Sequence, residues 1–409
     1  MVNIRYFFLL ALLICVLVLE GCSEAKSKEK GMVERRPDYL IALADTVADA
    51  DSPITDYIRV VKVALLSSSQ DALITQGVEV IEMESGNFVI RDARKREVKL
   101  FDRDGTFLRK IGKIGRGPGE YASVDDLTLA WGSSQSIIIW SSDSRKLLFF
   151  NESGELLDEF SADFFAFCVE PIDDARFLFW VEGNQSKASG RSMILEAKLE
   201  GGRILTENTY LEIPREVEML SFGSAGDMFA GSDGTLISKP YSDTILTFKS
   251  GELHPKFVIL NSRSPKSYQD LYLEKQGDAR AIKGVRNLEG TLYGSFLETD
   301  RHLHFSYILD GRILAYNFSK VDSTLIYTPS FPGYTPLVMS VLHPPAGITQ
   351  DGSLVSLVDL GRTKGILNYI KEKDPEGIDE LKELYPDLIK TILDSSDSVN
   401  FALVIHTFE

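Results

Sequence analysis

The chain has 409 residues, of which 44% are hydrophobic and 25% charged, a composition typical of a folded globular protein. Its formal net charge at pH 7 is −16. That charge argues against nucleic acid as a partner, because such binding rests largely on Lys and Arg neutralising phosphates, and against a polybasic attachment to anionic lipid.

The N-terminus has the pattern of an exported, lipid-anchored protein. Arg5 precedes the apolar stretch Tyr6 to Leu19, which is as long as a signal-peptide core and too short to span a bilayer. The stretch ends in Leu19-Glu20-Gly21-Cys22, which resembles the bacterial lipobox although Glu20 is larger than usual. The resemblance implies a signal peptide over 1–21 and a lipid on Cys22; the alternative is an ordinary signal peptide with a chance cysteine. We expect residues 22–52 to be a flexible tether.

Removal of the signal peptide and lipidation of Cys22 would leave Cys168 as the one free cysteine. A single thiol cannot form a disulfide framework, so stability must come from a packed core. Cys168 follows Phe164 to Phe167 in an apolar run, and we expect it to be a small buried hydrophobe.

Four glycines at nearly equal intervals dominate the rest of the chain. Gly105, Gly154, Gly202 and Gly251 are separated by 49, 48 and 49 residues. An apolar run and a closing Phe precede three of them at matching positions. A fixed period of this length with several short strands inside it predicts a β-propeller with one four-stranded sheet per repeat.

We therefore predict an all-β fold, a six-bladed propeller over residues 53–409. The blades are expected at 77–113, 126–160, 164–213, 235–260, 294–327 and from 337 to the C-terminus. Helical insertions are expected in the later blades, one near 264–272 and one that Asp374 caps. An unassigned strand, Tyr57–Leu66, is predicted to pair with Phe401–Thr407 and close the ring between the two ends of the chain.

Three segments carry a resemblance to a known family. Ile111 to Tyr121 contains the run Gly-Pro-Gly-Glu-Tyr, Ser242 to Ile245 reads Ser-Asp-Thr-Ile, and Ala402 to Phe408 is a terminal strand. Together they resemble the six-bladed β-propeller lipoproteins of Bacteroidetes, which are loosely related to NHL-repeat propellers. The resemblance implies the fold, export and an outer-membrane location on either the periplasmic or the outer side, but it implies no chemistry.

The candidate binding residues are those expected at one face of the propeller. Trp140 and Trp180 end the second strands of adjacent blades and could stack on sugars or peptide side chains; the alternative is that both pack between blades. Arg91 ends the second strand of the first blade. The remaining candidates come from the crossing loop and the strand start after it: Arg116, Glu120, Tyr121, Asp125 and Asp126. The Gly and Pro content of the loop favours a structural role instead, as a rigid crossing between blades.

Catalytic and metal motifs are weak by comparison. His302 and His304 point to the same side of a predicted strand, but a pair falls short of the three or four ligands that zinc requires, so we predict no metal site. Asp102 and Asp104 begin like a calcium loop without its distal Glu. No nucleophile elbow occurs, and we expect no cofactor.

The sequence thus favours a non-enzymatic, lipid-anchored envelope propeller that binds a glycan, peptide or protein. One alternative is a hydrolase or lyase that uses channel carboxylates or the His302/His304 pair; another is an architectural subunit of an envelope complex. Convergence of such groups in a cleft with perturbed protonation would favour the enzyme.

Overall fold

The computed structural model describes residues 36–43, 57–130, 135–182, 191–212, 227–239, 242–261, 292, 296–309, 312–327 and 345–408. Within these ranges the chain is almost all β-strand, with three helices near its end. Two strands precede the repeats: β1 (Tyr39–Ala42) and β2 (Ile58–Leu65). Among the described helices, none has the length and apolarity needed to cross a membrane.

Residues 77–212 contribute antiparallel four-stranded meanders 1 to 3, in which each strand pairs with the next. Meander 1 consists of β3 (Gly77–Glu82), β4 (Phe88–Asp92), β5 (Glu97–Phe101) and β6 (Phe107–Ile111). A short parallel pair follows, β7 (Lys113–Ile114) with β8 (Glu120–Tyr121). Meander 2 consists of β9 (Asp126–Ala130), β10 (Ser136–Ser141), β11 (Lys146–Phe150) and β12 (Leu156–Ser161). Meander 3 consists of β13 (Cys168–Pro171), β14 (Arg176–Trp180), β15 (Ser192–Glu200) and β16 (Arg203–Glu212).

The described part of the remaining chain contributes meanders 4 to 6. Meander 4 consists of β17 (Asp227–Gly231), β18 (Gly234–Ser238), β19 (Thr244–Lys249) and β20 (Glu252–Leu260), and β1 adds to β20 in parallel. Meander 5 consists of β21 (Leu297–Glu298), β22 (His302–Leu309), β23 (Arg312–Ser319) and β24 (Leu325–Tyr327). Meander 6 consists of β25 (Gly347–Ile348), β26 (Leu354–Asp359), β27 (Phe401–Phe408) and the early strand β2. Helices α1 (Leu360–Lys373), α2 (Pro375–Leu384) and α3 (Pro386–Asp394) lie between β26 and β27.

The sheets have a propeller-like arrangement, with the hydrophobic core divided among the interfaces between neighbouring meanders. Apolar residues of meanders 1 and 2 form one cluster, and separate clusters join meander 2 to 3, 3 to 4 and 4 to 5. Another cluster joins meander 6 to meander 1. The faces that these neighbouring sheets share are therefore apolar, as stacked sheets in a propeller require.

The repeating glycines occupy the hairpins between the third and fourth strands of meanders 1 to 4. All four have positive φ: 87° at Gly105, 83° at Gly154, 73° at Gly202 and 82° at Gly251. A side chain is strained in this left-handed region, which explains why glycine recurs at this point of the repeat. At Gly105 a Cβ would also lie 2.3 Å from the carbonyl oxygen of Leu65.

The predicted pairing of the two ends of the chain is confirmed. β2 pairs antiparallel with β27, from Ile58 opposite Phe408 to Leu65 opposite Ala402. β27 also pairs with β26, so the C-terminal strand lies in the interior of meander 6. The last sheet thus pairs two strands, β2 and β27, that are more than 300 residues apart in the sequence.

The structure corrects several expected elements. The segment expected to be a flexible tether contains a docked strand, β1. This strand is held in place because the Tyr39 ring stacks on the Phe257 ring, with 5.0 Å between centroids, and because Ile41 is buried. The innermost strand of meander 3 is β13 rather than Phe164–Val169, since Phe164 packs before it against Phe179. The innermost strands β17 and β25 were not predicted, and neither was α1. The expected strand at 337–342 and the helix near 264–272 lie outside the described residues.

The capped helix is present, divided at Tyr385 into α2 and α3. Asp374 Oδ1 accepts a hydrogen bond from the Gly377 amide at 3.1 Å, as an N-cap does, and Pro375 opens α2. Ile378 and Leu381 from α2 are buried in the same cluster as residues of β26 and β27, together with Ile392 from α3. The helices therefore pack against the face of meander 6 opposite the face that packs on meander 1.

Replacement of Leu403 in β27 tests the importance of the closing strand. Leu403 is 1% exposed, so Leu403→Ala should lower the free energy of unfolding by about 2–5 kcal/mol through lost burial and a residual cavity. Urea denaturation followed by circular dichroism measures the change. The matched control is Leu393→Ala on α3, where the side chain is 42% exposed and the expected change is within about 0.5 kcal/mol. Equal losses in the two variants would contradict a tightly packed closing strand.

Candidate functional site

The innermost strands of the meanders surround a cavity of about 600 Å³, which we call the central channel. β9 contacts β13, β13 contacts β17, β17 contacts β21, and β25 contacts β3, so four junctions between innermost strands are direct contacts. Two halves of the channel wall differ in chemistry. Meanders 1 to 3 contribute the polar and charged residues Glu79, Arg91, Asp126, Thr128 and Glu170. Meanders 4 to 6 contribute a larger share of apolar residues, among them Phe229, Ala230, Leu297, Ala346 and Ile348, together with Asp233, Thr235, Lys249 and Ser250.

Arg91 and Glu79 form an ion pair at the channel wall of meander 1. The two residues lie opposite each other on β4 and β3, so their side chains share one face of the sheet. Arg91 Nε donates to Glu79 Oε2 at 2.9 Å, and Arg91 Nη1 donates to the carbonyl oxygen of Val124 at 3.3 Å. Burial raises the pKa of Glu79 although Arg91 opposes that shift. Burial disfavours the Arg91 cation, but the carboxyl groups of Glu79 and Asp126 outweigh it and raise the arginine pKa.

Asp126 and Glu170 place two more carboxyl groups on the same half of the wall. Asp126 Oδ2 accepts a hydrogen bond from the Val169 amide at 2.7 Å, which joins meander 2 to meander 3. Thr128 Oγ1 donates to Glu170 Oε2 at 3.4 Å, and Glu170 is 8% exposed. The pKa of Asp126 is raised well above its usual range by burial and then by the nearby Glu79 carboxyl, with Glu170 adding to the effect. Glu79 and Asp126 thus share the field of the Arg91 guanidinium.

The other half of the channel is held by a buried ionic cluster behind its wall. Glu298 receives hydrogen bonds from Lys256 at 2.9 Å and from Lys320 at 2.8 Å, and the Ser232 amide donates to it at 3.0 Å. Lys256 also pairs with Asp233. These contacts join meander 4 to meander 5 and satisfy Glu298 internally. At the channel itself, Asp233 pairs with Lys249 at 3.2 Å.

The Gly-Pro-Gly-Glu-Tyr loop packs on meander 2 and has its own hydrogen-bond partners. Glu120 accepts from the Gly117 amide at 2.9 Å and pairs with Lys113 at 2.7 Å, which lowers its pKa. Tyr121 is 1% exposed and donates to the carbonyl oxygen of Ile111 at 3.0 Å; burial raises its pKa. Arg116 is exposed. Among the predicted binding residues of this loop, Tyr121 is therefore a core residue and Glu120 is a turn-stabilising residue.

The expectation that Trp140 and Trp180 form an aromatic binding platform is wrong. Both side chains are fully buried, in two different interfaces between meanders. Trp140 Nε1 donates to the carbonyl oxygen of Ala166 at 2.8 Å, and its ring lies 5.3 Å from that of Phe179. Large aromatic rings supply much of the apolar area that stacked sheets bury, which explains their position.

Asp125 is also structural, although it is adjacent to a channel residue. Its Oδ2 accepts from Ser123 Oγ at 2.5 Å and from the Ser142 amide at 2.7 Å, which fixes the entry into β9. Of the eight predicted binding residues, the structure brings Arg91 and Asp126 together at the channel. Asp102 serves its hairpin turn, where it accepts from the Asp104 and Thr106 amides at 2.9 and 2.8 Å.

His302 and His304 lie at the boundary between meanders 5 and 6. Their ring centroids are 5.9 Å apart, and the His304 ring lies 5.0 Å from that of Phe408. Burial lowers the pKa of His302, and the Arg301 charge adds to the shift. In the part of the chain that the structure describes, no group of three or more His, Cys, Asp or Glu side chains is arranged to hold a metal ion.

Sequence reasoning missed Glu79 and Glu170, the other two acids of the channel. Each follows a valine within an apolar inner strand, as Val78-Glu79-Val80 and Val169-Glu170-Pro171. An acidic residue in such a strand is costly unless it faces a cavity or a partner. The acidic residue within an apolar strand could have been noticed in the sequence. It indicates the channel, however, only when the strand is known to be the innermost one of its meander.

The arrangement of four-stranded meanders around a channel places this chain in the class of propeller-like proteins. The chain belongs to the DUF4934 family, described as a domain of unknown function, whose sequence profile matches residues 41–407. No curated protein matches the chain.

Solved structures show the same fold at low sequence identity. A protein named as an exported protein of Bacteroides fragilis is 17% identical, with a TM-score of 0.72 over 90% of this chain and 99% of that one. A member of the DUF4221 family from Bacteroides vulgatus is 11% identical, with a TM-score of 0.51 over 87% and 99% of the two chains. A virginiamycin B lyase from Staphylococcus aureus is 13% identical over 67% of this chain and 75% of that one, with a TM-score of 0.38. This TM-score is too low to indicate a common fold.

The raised pKa of Asp126 predicts a pH dependence of stability. As pH rises from about 4 through that raised pKa, the unfolded chain releases a proton that the folded chain retains, so stability falls. Asp126→Asn removes this ionisation and keeps an acceptor for the Val169 amide, so its stability advantage over the wild type should grow with pH. Each unit of raised pKa corresponds to about 1.4 kcal/mol.

Urea unfolding at pH 5, 6, 7 and 8 measures this difference. Asp158→Asn is the matched control, since it makes the same charge change at an exposed position on β12. The control should follow the wild type at every pH. An Asp126→Asn variant whose stability runs parallel to that of the wild type would contradict the assigned electrostatics.

Proposed function

We propose that the chain is a six-bladed β-propeller lipoprotein of the bacterial envelope that binds a glycan, peptide or protein partner in its central channel and catalyses no reaction. The number of blades is supported by meanders 1 to 6, each of four strands when β2 is counted with the last. Contact between successive sheets, including the His304 and Phe408 rings between meanders 5 and 6, and contact between meander 6 and meander 1 support closure of the ring.

The envelope location is supported by the lipobox-like run at Cys22 and by the likeness to a protein named as exported. β1 adds a distance limit to this proposal. Residues 23–38 separate Cys22 from β1, and a fully extended chain of that length spans about 55 Å. A lipid at Cys22 would therefore keep meander 4, where β1 is docked, within that distance of the bilayer surface.

The observation that carries the binding proposal is the channel with its two unlike walls. Its volume of about 600 Å³ lies within the range of small-molecule sites, and a few polar groups among apolar residues are what such sites use to orient a ligand. The Gly-Pro-Gly-Glu-Tyr loop is less suited to bind, because its Glu120 and Tyr121 side chains are already engaged within the protein.

The hydrolase or lyase alternative is favoured by one observation. Asp126 has a raised pKa beside other carboxyl groups, and pairs of acids with separated pKa values can serve as general acid and general base. Mass spectrometry of any channel ligand after incubation with the protein distinguishes the two functions. An intact ligand supports binding alone, whereas products that disappear with Asp126→Asn support catalysis.

Lipid anchoring predicts the behaviour of a Cys22→Ala variant. In a bacterial host that processes lipoproteins, the wild-type chain should incorporate an alkyne-tagged fatty acid and partition into detergent. Cys22→Ala should do neither, because the thiol that accepts the lipid is gone. Cys168→Ala is the control and should keep the label, since Cys168 is buried in the fold. A label that persists in Cys22→Ala would contradict anchoring at this residue.

Channel binding predicts that a plug abolishes the interaction. Ala230 lines the channel and is exposed to it, so Ala230→Trp should fill part of the space without altering the charged wall. The lipid-free chain is screened against envelope glycans and peptide libraries, and each hit is retested by calorimetry. Hits should lose at least about tenfold in affinity with Ala230→Trp.

The matched control for the plug is Leu157→Trp, which adds a ring at an exposed position on β12, away from the channel. It should bind every hit as the wild type does. Hits that bind Ala230→Trp and the wild type equally would place the binding site elsewhere on the protein.

A further inference from the structure

Positive charge is concentrated at the junction of meanders 1 and 2, although the whole chain has a formal charge of −16. Three described segments form what we call the basic patch: the turn 93–96 between β4 and β5, the crossing 112–122, and residues 142–146 from the turn between β10 and β11 into β11. Together they contain seven Lys or Arg residues and two acidic residues. The net charge argues against an anionic partner for the average surface, but not for this part of it.

Hydrogen bonds and an ion pair bring the three segments together. Arg96 Nη1 donates to the carbonyl oxygen of Ala122 at 3.3 Å and lies 3.7 Å from Asp143 Oδ2. Lys146 Nζ donates to the carbonyl oxygen of Gly117 at 2.8 Å. The crossing therefore lies against both turns, and the charges of all three segments belong to one surface.

Three arginines of the basic patch are available to a partner. Arg94, Arg116 and Arg145 are exposed, and in the part of the chain that the structure describes none of their guanidinium groups makes an ion pair or a hydrogen bond. The neighbouring Lys113, by contrast, pairs with Glu120 at 2.7 Å. A guanidinium group presents a planar set of donors that matches the oxygens of a phosphate group.

The crossing holds Arg116 in a defined position. Gly115 and Gly117 flank it, and a Cβ at Gly115 would collide with the Glu120 carboxyl group. The Gly117 amide donates to that carboxyl group at 2.9 Å. Glu120 therefore stabilises the turn, and Arg116 is the side chain that the turn presents to solvent.

Arginine also occupies two strained positions in the basic patch. Arg96 and Arg145 are the last residues of the two turns, and their φ angles are 56° and 54°. Glycine or asparagine adopts this left-handed conformation at lower cost than arginine. Strain of this kind is found where a side chain has a function to perform.

Exposed aliphatic side chains flank the same loop. Ile114 is 53% exposed. Leu156, which is 41% exposed, lies against Gly119, where a Cβ would be 3.2 Å from Leu156 Cδ2. Cations beside exposed aliphatic groups are typical of surfaces that meet a bilayer, because the cations bind lipid phosphates and the aliphatic groups enter the headgroup layer.

We propose that the basic patch docks on the phosphate groups of a lipid bilayer, with Arg94, Arg116 and Arg145 at the headgroups and Ile114 inserted among them. The arginines are spread over three exposed segments rather than gathered in a cavity, which suits a surface with many phosphates better than a single small anion. The inference goes beyond channel binding, and it rests on the proposed lipid at Cys22 only for the nearness of the bilayer. Docking would fix which way the propeller faces, which an anchor alone does not.

Sedimentation with vesicles tests this surface in the lipid-free chain. Vesicles of phosphatidylglycerol and phosphatidylcholine in equal amounts should bind the chain at least about tenfold more tightly than vesicles of phosphatidylcholine alone. Binding should weaken as NaCl rises from about 0.05 to about 0.5 M, because salt screens the attraction between exposed charges. Absence of binding to the anionic vesicles would overturn the inference.

A triple variant assigns the binding to the arginines. Replacement of Arg94, Arg116 and Arg145 by glutamine should lower the affinity for anionic vesicles at least about tenfold, since each arginine near an anionic surface contributes about fivefold. The matched control makes the same charge change at exposed lysines of α1 and α3, as Lys371→Gln, Lys373→Gln and Lys390→Gln. It should bind as the wild type does. Equal losses in the two triple variants would overturn the assignment to the basic patch.

A second pair of variants tests insertion of the aliphatic side chain. Ile114→Ser should weaken binding about fivefold, because a polar side chain gains nothing from leaving water. Val321→Ser is the control, since Val321 is 69% exposed in the turn between β23 and β24, and it should bind as the wild type does. Unchanged binding of Ile114→Ser would overturn insertion at this residue.

Soluble polygalacturonate distinguishes a bilayer from an acidic glycan. Binding to this polymer but not to vesicles, lost in the triple arginine variant, would overturn the lipid surface and assign the basic patch to an acidic glycan. The vesicles contain no channel ligand, and the chain used has no acyl group. These results are therefore independent of the channel screens and of the Cys22 labelling, so failure of the docking surface and failure of the proposed function are distinguishable.

Discussion

The pairing of β2 with β27 is the contact on which the other sheets depend. It joins residues 58–65 to residues 401–408, and it places the C-terminal strand between β2 and β26. Without it, meander 6 would lose its outer strand and leave an open edge next to meander 1. The cluster shared by meanders 6 and 1, with Leu403 and Phe88 among its members, then fixes β25 beside β3. The channel exists because this contact holds its first and last walls together.

Closure has an electrostatic consequence, because it brings side chains from separate repeats into one small space. Glu79, Asp126 and Glu170 lie on three successive innermost strands, and Arg91 reaches only the first of them directly. Burying like charges is unfavourable unless they are paired, and the raised pKa of Asp126 expresses that cost. The contrast with the Lys256–Glu298–Lys320 cluster is instructive, since that acid has two lysines and its pKa is lowered. Glu298 thus has two cationic partners, whereas Glu79 and Asp126 share the charge of Arg91.

Most outer strands and the hairpin glycines were predictable from the sequence, because apolar runs and glycines recur in it at a fixed interval. The closing pair was predictable because the last repeat lacked a strand and the segment before the first repeat had one to spare. The innermost strands were harder to predict. β17 and β25 are short and contain glycine, so their apolar pattern is too brief to recognise. The site was harder still to predict. Trp140 and Trp180 were assigned to a binding face by strand position alone, but both are buried in the interfaces between meanders. Arg91 and Asp126 were found, and Glu79 was missed although it lies opposite Arg91 on the adjacent strand. Glu170 joins them only through the packing of meander 3 beside meander 2.

Native-state hydrogen exchange followed by mass spectrometry tests the closing contact most directly. If β2 and β27 hold the ring together, amides from Lys62 to Leu65 and from Ala402 to Ile405 should exchange only through global unfolding. Their protection should then match the free energy of unfolding measured with denaturant. Exchange of these amides through a low-energy opening, while those of β4 and β10 stay protected, would contradict the account, because the ring would then persist without its closing strands.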